Sequence, residues 1–200
     1  MPAPGGYRIM VSGVKKMTVV NPHIKFTYED YCLLPEDRRY ELIGGELFMV
    51  PSPSVIHQRV AANLEAILRA FVKNRNLGEV LDAPLDVVLS PHDVVQPDIV
   101  FISRERGHIV TDANLQGAPD LVIEILSPST AERDRGLKRK LYARHGVREL
   151  WLVNAGAQTV EVFSLEEGEE NPPMIYSRSA RQPVVSPLLE GMTVNLDEVF

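Results

Sequence analysis

Residues 97–102, Pro97-Asp98-Ile99-Val100-Phe101-Ile102, and residues 118–126, Ala118-Pro119-Asp120-Leu121-Val122-Ile123-Glu124-Ile125-Leu126, are two apolar runs of strand length that carry carboxylates. A bare carboxylate in a buried strand is costly unless a positive group compensates it. A metal, a lysine or both could do so. Along a strand, residues an even number apart share a face, so Asp120 and Glu124 point the same way. Four residues at roughly 3.3 Å each also set their Cα atoms about 13 Å apart. A hard cation such as Mg²⁺ binds oxygens at roughly 2.0–2.1 Å, so these two do not easily share one. A carboxylate partner for Glu124 is therefore expected from a neighbouring strand, and Asp98 opens the best candidate. The plainer alternative is that Glu124 pairs with a core arginine or caps a loop.

A basic helix is predicted over residues 130–144, behind the breaker Ser127-Pro128-Ser129-Thr130, with Ser129 or Thr130 as N-cap and Gly146 as the stop. Asp134 and Lys138 stand four apart on one helical face, and Tyr142 continues it. Taken alone, such a pair is an ordinary surface ion pair worth a few tenths of a kcal/mol, on the order of 0.3. Lys138 follows Glu124 by 14 residues, which could instead set its ammonium over the end of the sheet.

The rest of the chain supports these elements. The 200 residues suit one domain, with residues 1–17 a poorly patterned arm and 18–200 the folded part. Thr27 opens a short helix that ends near Pro35. Tyr40-Glu41-Leu42-Ile43, Gly44-Gly45 and Glu46-Leu47-Phe48-Met49-Val50 read as a β-hairpin around a type I′ turn. Residues 52–73 form a long amphipathic helix with Val60, Leu64, Ile67, Leu68, Phe71 and Val72 at helical spacing. His57 lies in its first turns, where a structural hydrogen bond is the commoner role. Residues 103–117 are a polar connector. Residues 149–153 and 159–163 pair around a turn with Asn154 and Gly156. The lone cysteine, Cys32, allows no intrachain disulfide and is expected to be buried. No apolar run is long enough for a signal peptide or a membrane span, which points to a cytoplasmic protein. Zinc-ligand spacing, a phosphate-cradling glycine loop and a nucleophile elbow are all missing.

The net charge of −6 argues against broad, nonspecific nucleic-acid binding. Its distribution is uneven. Residues 133–148 hold seven Lys/Arg and one acid, a local +6, so the remainder carries −12. Such a run is either a solvated helix face or a focus for a phosphate-bearing substrate.

Taken together, Pro97-Asp98, then Pro119-Asp120-Leu121-Val122-Ile123-Glu124-Ile125-Leu126-Ser127-Pro128-Ser129-Thr130, then Asp134, Lys138, Tyr142, Gly146-Val147 and Trp151 resemble the Uma-type restriction endonuclease family. That family belongs to the PD-(D/E)XK nuclease superfamily. The resemblance spans residues 27–164, and the motifs are specific as a combination. It implies an α/β (α+β) restriction-endonuclease-like fold, with a mixed, mainly antiparallel central sheet flanked by helices. It implies Mg²⁺-dependent hydrolysis of phosphodiesters in DNA. Asp98 and Glu124 would hold the ion with the backbone carbonyl of Ile125. One departure stands out: Leu126 occupies the place of the superfamily's lysine, two residues after Glu124. The resemblance assigns the missing charge to Lys138.

Glu46 is implied as an outer member of the acidic site, though a hairpin-edge charge is its simpler role. His57 is a weaker catalytic candidate. Arg135, Arg139 and Lys140 of the basic helix are candidate contacts to nucleic acid. A homodimer is expected, with residues 149–163 and Trp151 one place for its interface and core packing the alternative for Trp151. Two other classes stay open: a nuclease-fold module that binds nucleic acid or a protein without cutting, and a metal-free sugar hydrolase using Glu124 as acid.

Overall fold

The computed structural model describes residues 25–35, 38–128, 131–165 and 172–200. The arm at 1–17 and the expected N-cap at Ser129 or Thr130 lie outside the described residues. In chain order the elements are α1 (Tyr28–Tyr31), β1 (Tyr40–Ile43), β2 (Glu46–Met49), α2 (Val55–Arg75), β3 (Gly78–Asp82), β4 (Val87–Ser90), β5 (Asp93–Val95), β6 (Ile99–Ser103), β7 (Leu115–Gln116) and β8 (Leu121–Ile125). Then come α3 (Ala131–Arg133), a π-helical turn at Asp134–Lys138, α4 (Arg139–His145), β9 (Glu149–Asn154), β10 (Thr159–Ser164), β11 (Met174–Ser177), β12 (Val184–Val185) and β13 (Thr193–Val194).

The central sheet has six strands in the order β11-β10-β9-β8-β6-β3, antiparallel except where β8 runs parallel to β9. A second sheet, β2-β1-β5-β4-β7, is antiparallel except for β4 and β7. The architecture is thus α+β with mostly antiparallel sheets, as the family resemblance implied.

Alternation along the central strands sorts two cores. Ile99, Phe101, Leu121, Ile123, Ile125, Trp151 and Val153 face α2, which buries Val60, Leu64, Leu68 and Val72 against them. Val100, Ile102, Val122, Leu150 and Leu152 face Leu141 and Tyr142 of α4. Each such side chain contributes about 1.5–3 kcal/mol when fully buried. Glu124 shares the Val122 face, the one that receives α4. Trp151 is fully buried, so it belongs to the core and offers nothing to a dimer interface.

Local chemistry sets the ends of these elements. Gly44 and Gly45 both take positive φ, 58° and 79°, as the I′ turn requires. α2 starts later than the apolar pattern implied, because Ser54 caps it through His57 N–H (3.2 Å). It also runs on to Arg75 and closes on Asn76 in the left-handed region. The single basic helix expected over 130–144 is broken by the π turn. Cys32 is exposed, not buried: it caps the short α1 at the surface. Among the described residues no helix is long and apolar enough to cross a membrane.

Candidate active site

Asp98 and Glu124 meet across an antiparallel ladder. β6 and β8 pair Ile99 with Ile123 and Val100 with Val122, so one further step sets Asp98 opposite Glu124. Directly opposed side chains have Cβ atoms about 4.5–5.5 Å apart. Asp98 Oδ2 accepts from Ile125 N–H (2.7 Å) and lies 3.2 Å from His57 Nε2. The hydrogen bond to Asp98 pulls the His57 pKa up, burial opposes it, and the Ile125 backbone adds to the rise. Among the described residues, Asp98 Oδ1 and Glu124 Oε2 accept no hydrogen bond.

Asp120, immediately before Glu124's own strand, plays a different part. Its Oδ2 accepts from Ser103 N–H (2.8 Å), and its Oδ1 lies 3.4 Å from Arg106 and 3.5 Å from Arg148. It anchors the connector after β6 and stays outside the Asp98–Glu124 pair, as the strand spacing required.

The helix side closes over Glu124. Lys138 Nζ is 2.6 Å from Glu124 Oε1, 2.8 Å from Glu41 Oε1 and 3.7 Å from Asp134 Oδ1. Tyr142 O–H donates to Glu124 Oε1 at 2.5 Å. Asp134, Lys138 and Tyr142 thus act on one face, but Lys138 is only 2% exposed and is no surface ion pair. The π turn spans both charged members, and Gly136 in its middle lowers the local preference for regular α-helix. Leu126 packs with the apolar cluster under α4, so the ammonium at Glu124 is that of Lys138.

Glu41, which sequence reasoning passed over, completes the group. It is 1% exposed, accepts from Gln96 N–H (3.1 Å) and lies 3.3 Å from Arg133. Arg133 in turn sits over the Phe48 ring, 5.2 Å from its centroid. Glu46 does not join the site: it starts β2 at the turn end of the hairpin, exposed and away from the cavity. The sequence held a partial signal for Glu41, a carboxylate inside the short run Tyr40-Glu41-Leu42-Ile43, every residue of which is buried.

Glu41, Asp98, Glu124, Arg133, Asp134 and Lys138 line a cavity of about 710 Å³ that also takes in Arg39, His57 and Ser127. Burial pushes the Glu124 carboxyl up to about 8; Lys138 pulls it down, and Asp134, Asp98 and Glu41 add to the rise. Burial works against the Lys138 ammonium too, but Glu124, Glu41 and Asp134 outweigh it and hold its pKa above the ordinary lysine value. Burial, then Glu124, raises Tyr142, which therefore stays a hydrogen-bond donor.

The three basic candidates on the helix stand elsewhere. Arg135 pairs with both carboxylate oxygens of Glu161, Arg139 lies over Phe163 with 5.4 Å to the ring centroid, and Lys140 is exposed. None of them lines the cavity.

Among the described residues no group of three or more His, Cys, Asp or Glu is arranged to hold a metal. The Asp98–Glu124 pair nevertheless fits a hard cation. Its donors are oxygens, two of them without a partner among the described residues, and Mg²⁺ is commonly held by one or two carboxylates with water and substrate phosphate completing its shell.

The site is thus a pair of carboxylates opposed on adjacent antiparallel strands beneath a buried lysine. Residues 27–197 match the model of the Uma2 family, described as a putative restriction endonuclease, and the chain belongs to that family. An uncharacterized protein of Synechocystis is 24% identical over 162 residues, covering 80% of this chain and 83% of its own. The fold is also that of a crystal structure of a putative nuclease of the DUF820 group from Anabaena variabilis. That match has TM-score 0.74 and 21% identity, over 88% of this chain and 97% of the other. Family and fold together support a nuclease.

Proposed function

We propose that this protein is a metal-dependent endonuclease that hydrolyses phosphodiester bonds in DNA. The observation that carries the reading is the opposition of Asp98 and Glu124 across β6 and β8, with Lys138 Nζ 2.6 Å from Glu124 at the floor of a cavity. Asp98, Glu124 and the Ile125 carbonyl would hold the ion. A bound Mg²⁺ supplies Lewis-acid polarisation of the phosphate and a water of lowered pKa. Lys138, kept charged by its three carboxylates, would stabilise negative charge as it develops on the phosphate. Tyr142 fixes the Glu124 carboxyl through Oε1, which leaves Oε2 toward the cavity. His57 now holds Asp98 Oδ2, so it limits how that carboxylate can turn.

The test pairs cleavage with metal binding. Supercoiled plasmid, single-stranded DNA and RNA are incubated with Mg²⁺, with Mn²⁺ and with EDTA, using wild type and Glu124→Gln. Mn²⁺ is titrated calorimetrically into wild type, Asp98→Ala and Asp120→Ala. The expected result is cleavage that EDTA and Glu124→Gln abolish, with Mn²⁺ binding lost in Asp98→Ala and kept in Asp120→Ala. Cleavage that survives EDTA would overturn the metal. Nucleic-acid binding without cleavage under any metal would leave a silent nuclease-fold module.

A further inference from the structure

The cations that border the cavity differ in how far they are already committed. Lys138 is held by Glu41, Glu124 and Asp134. Arg133 is held by Glu41 and the Phe48 ring. His57 is held by Asp98. Arg39 is different. Arg39 lines the cavity, and among the described residues its guanidinium makes no hydrogen bond, ion pair or ring contact. The half-buried Arg39 is nonetheless held in place by its backbone. Val50 N–H donates to its carbonyl (2.9 Å), which prolongs the β1–β2 ladder by one step beyond Tyr40 and Met49. Strand alternation then puts Arg39 on the face of Glu41, two residues and roughly 6.6 Å along the strand. Arg39 borders the same cavity as His57 and Asp98, and its charge lowers the His57 pKa by repulsion.

An uncommitted arginine that shares a cavity with a carboxylate pair has one natural complement, an anionic oxygen brought by the substrate. We propose that Arg39 is a substrate-binding residue that grips a non-bridging oxygen of the nucleic-acid backbone and seats the phosphodiester against Asp98 and Glu124. This rests on the nuclease reading and names the contact that delivers its substrate. The planar fork of arginine matches a phosphate in two parallel hydrogen bonds, which a lysine cannot reproduce. Contacts of this kind position a strand and carry no base preference. Arg39 therefore serves any sequence the site accepts. The role expected of Arg135, Arg139 and Lys140 moves here because the first two are engaged within the chain and none reaches the cavity.

The test measures the binding of short fluorescein-labelled single-stranded and duplex DNA by anisotropy, with Ca²⁺ replacing Mg²⁺ to hold off cleavage. Wild type, Arg39→Gln and Arg39→Lys are compared across a salt series. A lost charged hydrogen bond corresponds to about a tenfold or larger rise in Kd for Arg39→Gln. The same rise is expected for every sequence tried, and the slope of log K against log salt falls by about one. Arg39→Lys restores the salt slope and only part of the affinity. Calorimetric Mn²⁺ binding by Arg39→Gln stays as in wild type, which separates a substrate contact from a damaged site. Equal affinity and slope for wild type and Arg39→Gln, on DNA the wild type binds, would overturn the Arg39 assignment alone. Failure of wild type to bind any of these nucleic acids would overturn the nuclease reading and this contact with it.

Discussion

Lys138→Met removes the ammonium from the centre of the site and keeps a side chain of similar length. At an exposed helix position this change would stay within about 0.5 kcal/mol. Lys138 is 2% exposed and faces Glu124, Glu41 and Asp134, so its removal strands carboxylates in the interior. Breaking a buried ion pair from one side costs about 3–5 kcal/mol. Glu124, whose pKa burial already raises, answers the loss of Lys138 by taking up a proton, which draws the loss toward the lower end. Glu41 keeps Arg133 and the Gln96 N–H. A loss of about 3 kcal/mol in a chain of this size corresponds to about 6–12 °C in Tm. Domains carry about 5–15 kcal/mol of stability, so the variant remains folded at room temperature and its cleavage rate can be read. Scanning calorimetry of the metal-free protein measures the first effect, and single-turnover cleavage the second, expected as a fall of orders of magnitude. A Tm within about 2 °C of wild type would refute the reasoning, because it would mean that the lysine does not neutralise the carboxylates it touches. A preserved rate on DNA the wild type cuts would remove Lys138 from the chemistry.

Glu41→Gln keeps the shape of the side chain and takes away the charge that holds Lys138 and Arg133; its cleavage rate should fall at least tenfold, on the order of one lost charged contact, while Mn²⁺ affinity measured by calorimetry stays within a factor of about two. An unchanged rate would make Glu41 a packing residue only. Glu149 tests a buried carboxyl far from the cavity: burial raises its pKa, against hydrogen bonds from Leu188 N–H, Ser186 and Trp151. A folded pKa above the unfolded one contributes stability that is full below the ordinary glutamate value and lost as pH rises through the folded value. Urea unfolding should therefore show the wild type's advantage over Glu149→Gln shrinking as pH rises from about 4 upward, and a constant gap would contradict the raised pKa.

The opposition of Asp98 and Glu124 was legible because it follows from two general rules. Even spacing along β8 separated Asp120 from Glu124, and an antiparallel neighbour could present only its first residue at that level. The hairpin shows where the reasoning stopped. Cross-strand pairing of Glu41 with Phe48 and of Ile43 with Glu46 puts both glutamates on one face. They differ in level along the ribbon by about two residues, roughly 6.6 Å, with Glu46 at the turn and Glu41 toward the open end. Which end abuts the central sheet depends on β5 docking beside β1, a contact between residues far apart in sequence. Alternation alone therefore could not choose between them. The basic helix failed in a different way. Its charge count was correct, but local periodicity treats a helix as uniform. The π turn, which brings Asp134 and Lys138 together into the interior, is stabilised by the carboxylates it meets there. The same limit explains the arginines. Sequence shows that Arg39, Arg133, Arg135 and Arg139 are cations, and only the fold shows that Glu41, Glu161 and Phe163 have already taken three of them. A substrate phosphate competes with those internal partners, and an arginine without one binds it without first giving up a contact. Counting positive charges therefore pointed to the basic helix; subtracting the arginines already engaged within the chain leaves Arg39 at the cavity, which is why the proposed substrate contact is placed there.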